Sequence, residues 1–411
     1  MTDWSGLPKD LLYLIAKRLD TSLDRFRFRS VCSTWRSSVA PKRRRFPGRF
    51  PMLPDDNTNI SSTSFGFHLS KRTVFLVKSP QMATSWLIKI EEDTLNRKRL
   101  IYPLKRHRFD FRKVVDIQNL NICEIGHEYV LNYINSPPNS NFMNELCNLY
   151  MEKVVLMHLG SRESDSDGFV LLTVHVSGKL AMFKSGHKKW TILQYMPSPF
   201  DDVIVYKGRF YAVDNTGSTV VVDCSRCSVN LVGNPVFGGD KKYLVECKGD
   251  LLLVDMHLSI DAATFDPNLD WEQQLAYFVR ERTVMFKFYK LDEERKEWAE
   301  VNNLKDDVLF LGEDSVFSVS VNKLGVNRGN CILFVDNVYG LSEDGADDDV
   351  HLGVGVFDLE SGCIKPLGNY PELSKLFWPV PDWIASRTLE VQNQAEEVAS
   401  LQAHFQDVVH L

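Results

Sequence analysis

No uninterrupted apolar run in this 411-residue chain approaches the roughly 20 residues that a membrane helix needs. The N-terminus lacks the basic-then-apolar pattern of a secretory leader, because Asp3 and Asp10 bracket Pro8. Met1-Thr2 is no myristoylation site, and the final Val-Val-His-Leu is no prenylation box. Missing too are a nucleophile elbow, a glycine-rich phosphate loop, a dinucleotide fingerprint and His-Glu-x-x-His. Gly353-Val-Gly355 is a lone Gly-x-Gly inside a strand-like run, and the ten histidines contain no pair at i, i+4. His68, His158 and His175 fall in strand-like runs and read as core or surface residues. These absences predict a soluble intracellular protein with no cofactor, no metal and no chemistry of its own.

Paired cysteines are nearly as scarce. The eight thiols, at 32, 123, 147, 224, 227, 247, 331 and 363, are scattered, as expected of small buried hydrophobes in a reducing compartment. Cys224-Ser225-Arg226-Cys227 is the one Cys-x-x-Cys. No second ligand pair follows at zinc spacing, so it is expected to be a turn between strands. Net positive charge is confined to one end. Residues 1–50 hold twelve Lys/Arg against four Asp/Glu, whereas the remaining 361 hold 36 against 50. A net-acidic body does not suit bulk nucleic acid.

What is present begins with a short helical unit. Pro8 suits a helix start, and Leu11, Leu12, Ile15, Ala16 and Leu19 recur at helical spacing. Thr21-Ser22-Leu23-Asp24 predicts a capped second helix, and Ser33 is expected to cap a third that carries Trp35 and Val39. About forty residues cannot bury enough surface to be stable alone, so this unit must dock on something.

Leu7-Pro8, the paired leucines, the aliphatic helix and Val31-Cys32-Ser33-Thr34-Trp35-Arg36 resemble the F-box in order and spacing. The resemblance implies docking on the Skp-type adaptor of cullin–RING ubiquitin ligases, through Leu7, Pro8, Leu11, Ile15, Val31, Cys32 and Trp35. One departure is Arg25-Phe26-Arg27-Phe28-Arg29, where the family usually has aliphatic residues. That wording is similar to a large plant subset of F-box proteins.

Pro41 to Pro51 reads as a proline-rich basic linker. Within it Lys42, Arg43, Arg44 and Arg45 are a candidate nuclear localisation signal or a solvated hinge. Strand-like runs separated by turns dominate from about residue 60. Ser64–Leu69 and Thr73–Val77 flank Ser70-Lys71-Arg72, Phe169–Val176 and Lys179–Phe183 flank Ser177-Gly178, and Tyr243–Cys247 and Leu251–Asp255 flank Lys248-Gly249-Asp250. A weak repeat relates Asp202–Asp214 to Tyr243–Asp255: in each, a strand runs into Lys-Gly and a second strand ends in Val-Asp. A looser copy runs from Phe286 to Trp298. Such periodicity favours a propeller, and the length allows six or seven blades.

Tyr206-Lys207-Gly208-Arg209-Phe210-Tyr211, Gly249-Asp250-Leu251-Leu252, Phe288-Tyr289-Lys290-Leu291-Asp292 and Trp378-Pro379-Val380-Pro381-Asp382-Trp383 add a second resemblance. They are similar to the formerly uncharacterised domain that follows the F-box in many plant proteins, a kelch-like β-propeller. Leu333 stands where that family usually has Tyr. The expected architecture is mainly β: an all-α F-box (1–40), a linker (41–60), a propeller (61–384) and a short C-terminal helical tail (385–411). Acidic stretches at 160–168 and 342–349 are expected to be solvated loops, the second lacking EF-hand spacing.

The expected function is that of a substrate receptor in an SCF-type (Skp–cullin–F-box) ubiquitin ligase, in the nucleus or cytoplasm. Its expected partners are the Skp-type adaptor, cullin through it, and an unknown protein target, with no membrane and no direct nucleic-acid contact. The alternatives are a non-ligase scaffold or transcriptional co-factor with a degenerate F-box, suggested by Arg25, Arg27 and Arg29, and an enzyme built in a propeller channel.

Overall fold

The structure is a computed structural model, and it describes residues 4–19, 22–39, 46–54, 66–79, 84–92, 98–105, 120–134, 153–159, 168–195, 197–260, 281–335, 353–377 and 381. The chain divides into two compact units, Met1–Pro47 and Gly48–Leu411.

The first unit holds α1 (Lys9–Lys17), α2 (Ser22–Ser30) and α3 (Ser33–Ser38). The Pro8 carbonyl accepts from Leu12 N–H at 3.1 Å, so the proline sits one position ahead of α1, where its missing N–H costs nothing. Asp10 in the first turn and Lys17 in the last complement the helix dipole. Ser33 does not cap α3. The cap position is Cys32, whose extended backbone leaves Ser33 inside the first turn. The core is small: Leu12, Ala16 and Phe28, with Leu7, Leu19, Trp35 and Val39 packed against them.

The second unit is mainly β and propeller-like. Its first sheet has eight strands, in the order β3-β2-β1-β4-β5-β6-β7-β8. They are β1 (Gly66–Lys78), β2 (Ser85–Glu92), β3 (Lys98–Ile101), β4 (Asn121–Ile134), β5 (Lys153–His158), β6 (Phe169–Val174), β7 (Leu180–Lys184) and β8 (Thr191–Ile192). Among the described residues, two pairs, Tyr129–Val154 and Val130–Lys153, join its halves. The second sheet is a meander of β9 (Phe200–Tyr206), β10 (Arg209–Asp214), β11 (Thr219–Asp223) and β12 (Ser228–Gly233). The third repeats that order with β13 (Lys241–Cys247), β14 (Asp250–Ile260), β15 (Glu281–Asp292) and β16 (Glu297–Glu300). The fourth comprises β17 (Asp307–Leu311), β18 (Val316–Ser320), β19 (Cys331–Val335), β20 (Val354–Asp358) and β21 (Cys363–Pro366), ordered β18-β17-β19-β20-β21.

Packing closes these sheets into a ring. Leu172, Val174 and Met182 meet Val203, Phe210 and Val220 between the first and second sheets. Tyr211 and Val213 meet Leu244 and Leu253 between the second and third. Phe286 and Phe288 meet Phe334 and Phe357 between the third and fourth. Val308, Phe310 and Val356 then meet Val74, Leu76 and Leu87 of the first sheet. Residues past the last strand complete this join: Leu87 N–H donates to the Leu376 carbonyl at 2.7 Å, and Phe377 stacks on Tyr102 at 5.5 Å.

The structure departs from the sequence expectations in several places. Ser70-Lys71-Arg72 is no turn: β1 runs unbroken through it, because buried partners satisfy its polar side chains. The hairpin at Ser177-Gly178 has a three-residue loop, with His175 N–H bonded to the Lys179 carbonyl. The linker ends before residue 60. Phe50 is fully buried, its ring edge-on to Phe183 at 5.3 Å, and the Pro51 carbonyl accepts from the Trp190 indole at 2.8 Å. Lys42–Arg45, the tail 385–411 and nearly all of both acidic loops lie outside the described residues, as do segments that a blade count needs.

Candidate functional site

In the helical unit, α1 has two apolar stripes. Leu12 and Ala16 face the core, while Leu11, Leu14 and Ile15, at i, i+3 and i+4, are 48%, 55% and 41% exposed. Val31, between α2 and α3, is 57% exposed, and Pro8 is exposed as well. Leu7, Cys32 and Trp35 are half-buried. Trp35 turns inward, its ring tilted against Phe28 with centroids 4.6 Å apart, and donates its indole N–H to the Trp4 carbonyl at 3.1 Å. Of the seven candidates, Pro8, Leu11, Ile15 and Val31 therefore present free surface, and Trp35 mainly supports the unit. Leu14 and Trp4 extend the exposed apolar surface. Leu14 was readable from the same helical spacing, whereas Trp4 precedes any periodic run.

Two of the three unusual arginines, Arg25 and Arg29, are internal fasteners. Arg25 donates to the Leu19 carbonyl beyond α1 at 3.2 Å, Arg29 to the Arg36 and Val39 carbonyls at the end of α3, and Arg36 back to the Arg29 carbonyl at 3.3 Å. They satisfy carbonyls that helix ends leave without partners.

The propeller-like unit has a central cavity of about 350 Å³, lined by β1, β4, β5, β9, β13 and β18. Arg72, Glu128, Lys153 and Ser315 lie among apolar lining residues that include Leu156, Val205, Leu244 and Phe317. In and behind this wall sits a charge network that sequence reasoning missed. Arg72 pairs with Glu91 at 3.0 Å and with Asp314, and Lys89 pairs with Asp314 and with Glu128 at 2.8 Å. Burial works to lower the Lys89 pKa, but Glu128 and Asp314 outweigh it and hold the value above normal. Burial pushes the Glu128 carboxyl up to about 7, with Lys89 opposing and Asp314 adding.

Beside the network, Asp202 takes Lys153 at 2.6 Å and the Leu244 N–H of the next sheet at 2.9 Å, while Asp201 takes Lys242 N–H at 2.9 Å. These carboxylates bridge neighbouring sheets where no backbone ladder does. Burial raises Asp201 to about 6. Among the described residues, no three His, Cys, Asp or Glu are placed to hold a metal ion, and no helix is long and apolar enough to cross a membrane. Cys224 and Cys227 bound the β11–β12 turn.

Comparison with known proteins places these units among relatives. Residues 4–46 match the F-box domain and residues 55–358 match the KIB1-4 beta-propeller. The F-box protein SKIP23 of Arabidopsis thaliana is 44% identical over 405 residues, covering 94% of this chain and 96% of that protein. The Arabidopsis F-box protein At2g17036 is 36% identical over 421 residues, covering 97% and 99%. Among solved structures, the WD40 domain of SCAP from fission yeast aligns over 72% of this chain and 64% of its own at 9% identity. Its TM-score of 0.22 is too slight to add to the fold.

Proposed function

The chain belongs to the F-box proteins that carry a KIB1-4 β-propeller, and on that premise we propose that it is the target-recognition subunit of an SCF-type ubiquitin ligase. F-box proteins act in general as SCF adaptors for substrates, joining through a Skp-type subunit, and are typically non-catalytic. The finer reading is that α1 and the Val31 segment bury their apolar surface on that subunit, while the propeller holds a target protein near the charged conjugating enzyme. Catalysis is then by proximity: the receptor raises the effective concentration of a target lysine and other subunits make the bond.

The observation that carries this reading is the stripe of Leu11, Leu14 and Ile15, exposed on a unit whose buried core, among the described residues, is Leu12, Ala16 and Phe28. The inward, fastening use of Arg25 and Arg29 favours the docking reading over a degenerate F-box with a separate basic function, while Arg27 stays exposed beside Asp24. Nuclear residence through Lys42–Arg45 belongs to the same proposal, and is read from the distribution of a fluorescent fusion with and without those four charges.

The test is self-modification in a reconstituted ligase. With adaptor, cullin, RING subunit, conjugating enzyme and ubiquitin, the full chain acquires ubiquitin, and Ile15→Asp reduces the yield at least about tenfold. Equal modification of the wild type and Ile15→Asp contradicts the docking mode.

A further inference from the structure

Three hairpins share one four-residue loop, and in one of them both loop ends are thiols. Asp223, Asp292 and Asp358 each pair with the residue that follows the loop and accept from N–H groups within it. The first and fourth loop residues are Glu293 and Lys296 in the third sheet, and Leu359 and Gly362 in the fourth. The aspartate therefore closes the turn whatever stands at those positions. In the second sheet they are Cys224 and Cys227, both free thiols, and Cys227 holds a left-handed backbone (φ 54°) that glycine adopts more readily. Turn chemistry gives no reason for either sulfur.

Their surroundings do. Both residues pack against the same apolar cluster, so they lie on one side of the loop. As positions i and i+3 of a turn, their Cα atoms are within about 7 Å, inside the reach of a disulfide. Lys184 of β7 donates its ammonium to the Cys227 sulfur at 3.5 Å, and it pairs with no carboxylate among the described residues. An ammonium on sulfur stabilises the thiolate, which is the form that attacks. Burial raises the pKa of the neighbouring Cys224, with Lys184 opposing and Asp223 and Cys227 adding. Both thiols are half-buried beneath a loop tip, Ser225 and Arg226, that is exposed.

We propose that Cys224 and Cys227 are a redox-active dithiol, converted by hydrogen peroxide to a disulfide within the loop, with Cys227 as the attacking sulfur. The Cys227 thiolate attacks the peroxide: an S–O bond forms, the O–O bond breaks, and the second oxygen leaves as hydroxide, which takes up the proton that the thiol had released. The Cys224 sulfur then attacks the sulfenic acid. An S–S bond forms, the S–O bond breaks, and the hydroxyl leaves as water with the Cys224 proton. Two thiols are oxidised by two electrons and one peroxide is reduced to two waters. Lys184 is a positioning residue that acts through the Cys227 thiolate.

The test exposes the full chain to hydrogen peroxide at pH 7, then alkylates, denatures and digests it with trypsin. Trypsin cuts after Arg226, between the two cysteines, so Phe210–Arg226 and Cys227–Lys241 stay joined only where the bridge has formed. Joining is expected at least about tenfold faster than oxidation of the exposed Cys363, and dithiothreitol should reverse it. Cys224→Ser should stop at a sulfenic acid on Cys227, captured by dimedone. Lys184→Met should slow joining about tenfold and move its rise with pH to higher pH, a shift that altered packing alone does not produce. Cys227→Gly, whose backbone suits the turn, should abolish joining at an undiminished melting temperature. Peptides that part after Cys363 has been oxidised overturn the dithiol. A rate and pH profile unchanged in folded Lys184→Met overturn the role of the lysine, and no dimedone capture in folded Cys224→Ser overturns Cys227 as the attacking sulfur.

Discussion

At the residue scale, the F-box resemblance located the helical unit but blurred which side chains hold it together and which are offered outward. An apolar residue suits a core and an interface equally, so the motif alone does not separate Ile15, which is exposed, from Trp35, which packs on Phe28. Arg29 illustrates the converse: a basic residue that reads as surface charge ties off two carbonyls of the α3 end. Arg29→Ala should destabilise the helical unit by about 1–3 kcal/mol, seen as faster amide exchange across residues 22–39, with the propeller unaffected. Lys89 and Asp314 were invisible for a different reason. They lie 225 positions apart, and no local pattern announces a pair that only ring closure brings together. Glu128 provides a test of that network. Its native pKa of about 7 lies above the ordinary carboxylate value of 4.5. The stability it contributes is therefore fully present below about pH 4.5 and lost as pH rises through 7, up to about 3 kcal/mol for an isolated group. Denaturant titrations from pH 5 to pH 8 should show the wild type losing stability and Glu128→Gln losing less of it.

At the element scale, the readable repeat and the more informative one are different hairpins. The Lys-Gly pairs lie where expected, between β9 and β10 and between β13 and β14. Lys207 (φ 47°) and Gly208 (φ 72°), like Lys248 (φ 51°) and Gly249 (φ 82°), make two-residue turns with both positions left-handed. A second hairpin recurs in three sheets. Asp223, Asp292 and Asp358 end β11, β15 and β20, and each carboxylate accepts from the N–H groups two and three residues on. The fourth loop residue is left-handed each time: Cys227, Lys296 and Gly362. Since only an Asp and a backbone angle recur, the sequence hides this repeat, and Cys227 turns out to occupy a turn position that glycine fills in the fourth sheet. Lys296→Gly should relieve the left-handed strain and raise stability by about 0.5–1 kcal/mol, measured as a higher melting temperature. Ser70-Lys71-Arg72 was misread as a turn because polar triplets usually are turns; here buried carboxylates make a strand of it.

At the scale of the whole molecule, fold class and family were legible because each rests on local signals repeated along the chain: helical spacing, turn residues, strand-length runs. Ring closure was not, since it depends on residues such as Leu376 and Phe377 returning to the first sheet. The central cavity exists only once that closure is made. The two units divide the work proposed for the chain, one exposing an apolar stripe and the other enclosing charge. The first half of that division is open to a direct measurement, the affinity of the full chain for a Skp-type adaptor. The wild type is expected to bind tightly, Ile15→Asp to lose at least about a hundredfold, equivalent to about 2.8 kcal/mol, and Arg27→Ala, an exposed charge on α2 beside Asp24, to bind as the wild type does. A folded wild type that does not bind, or an Ile15→Asp chain that binds equally well, would contradict the account.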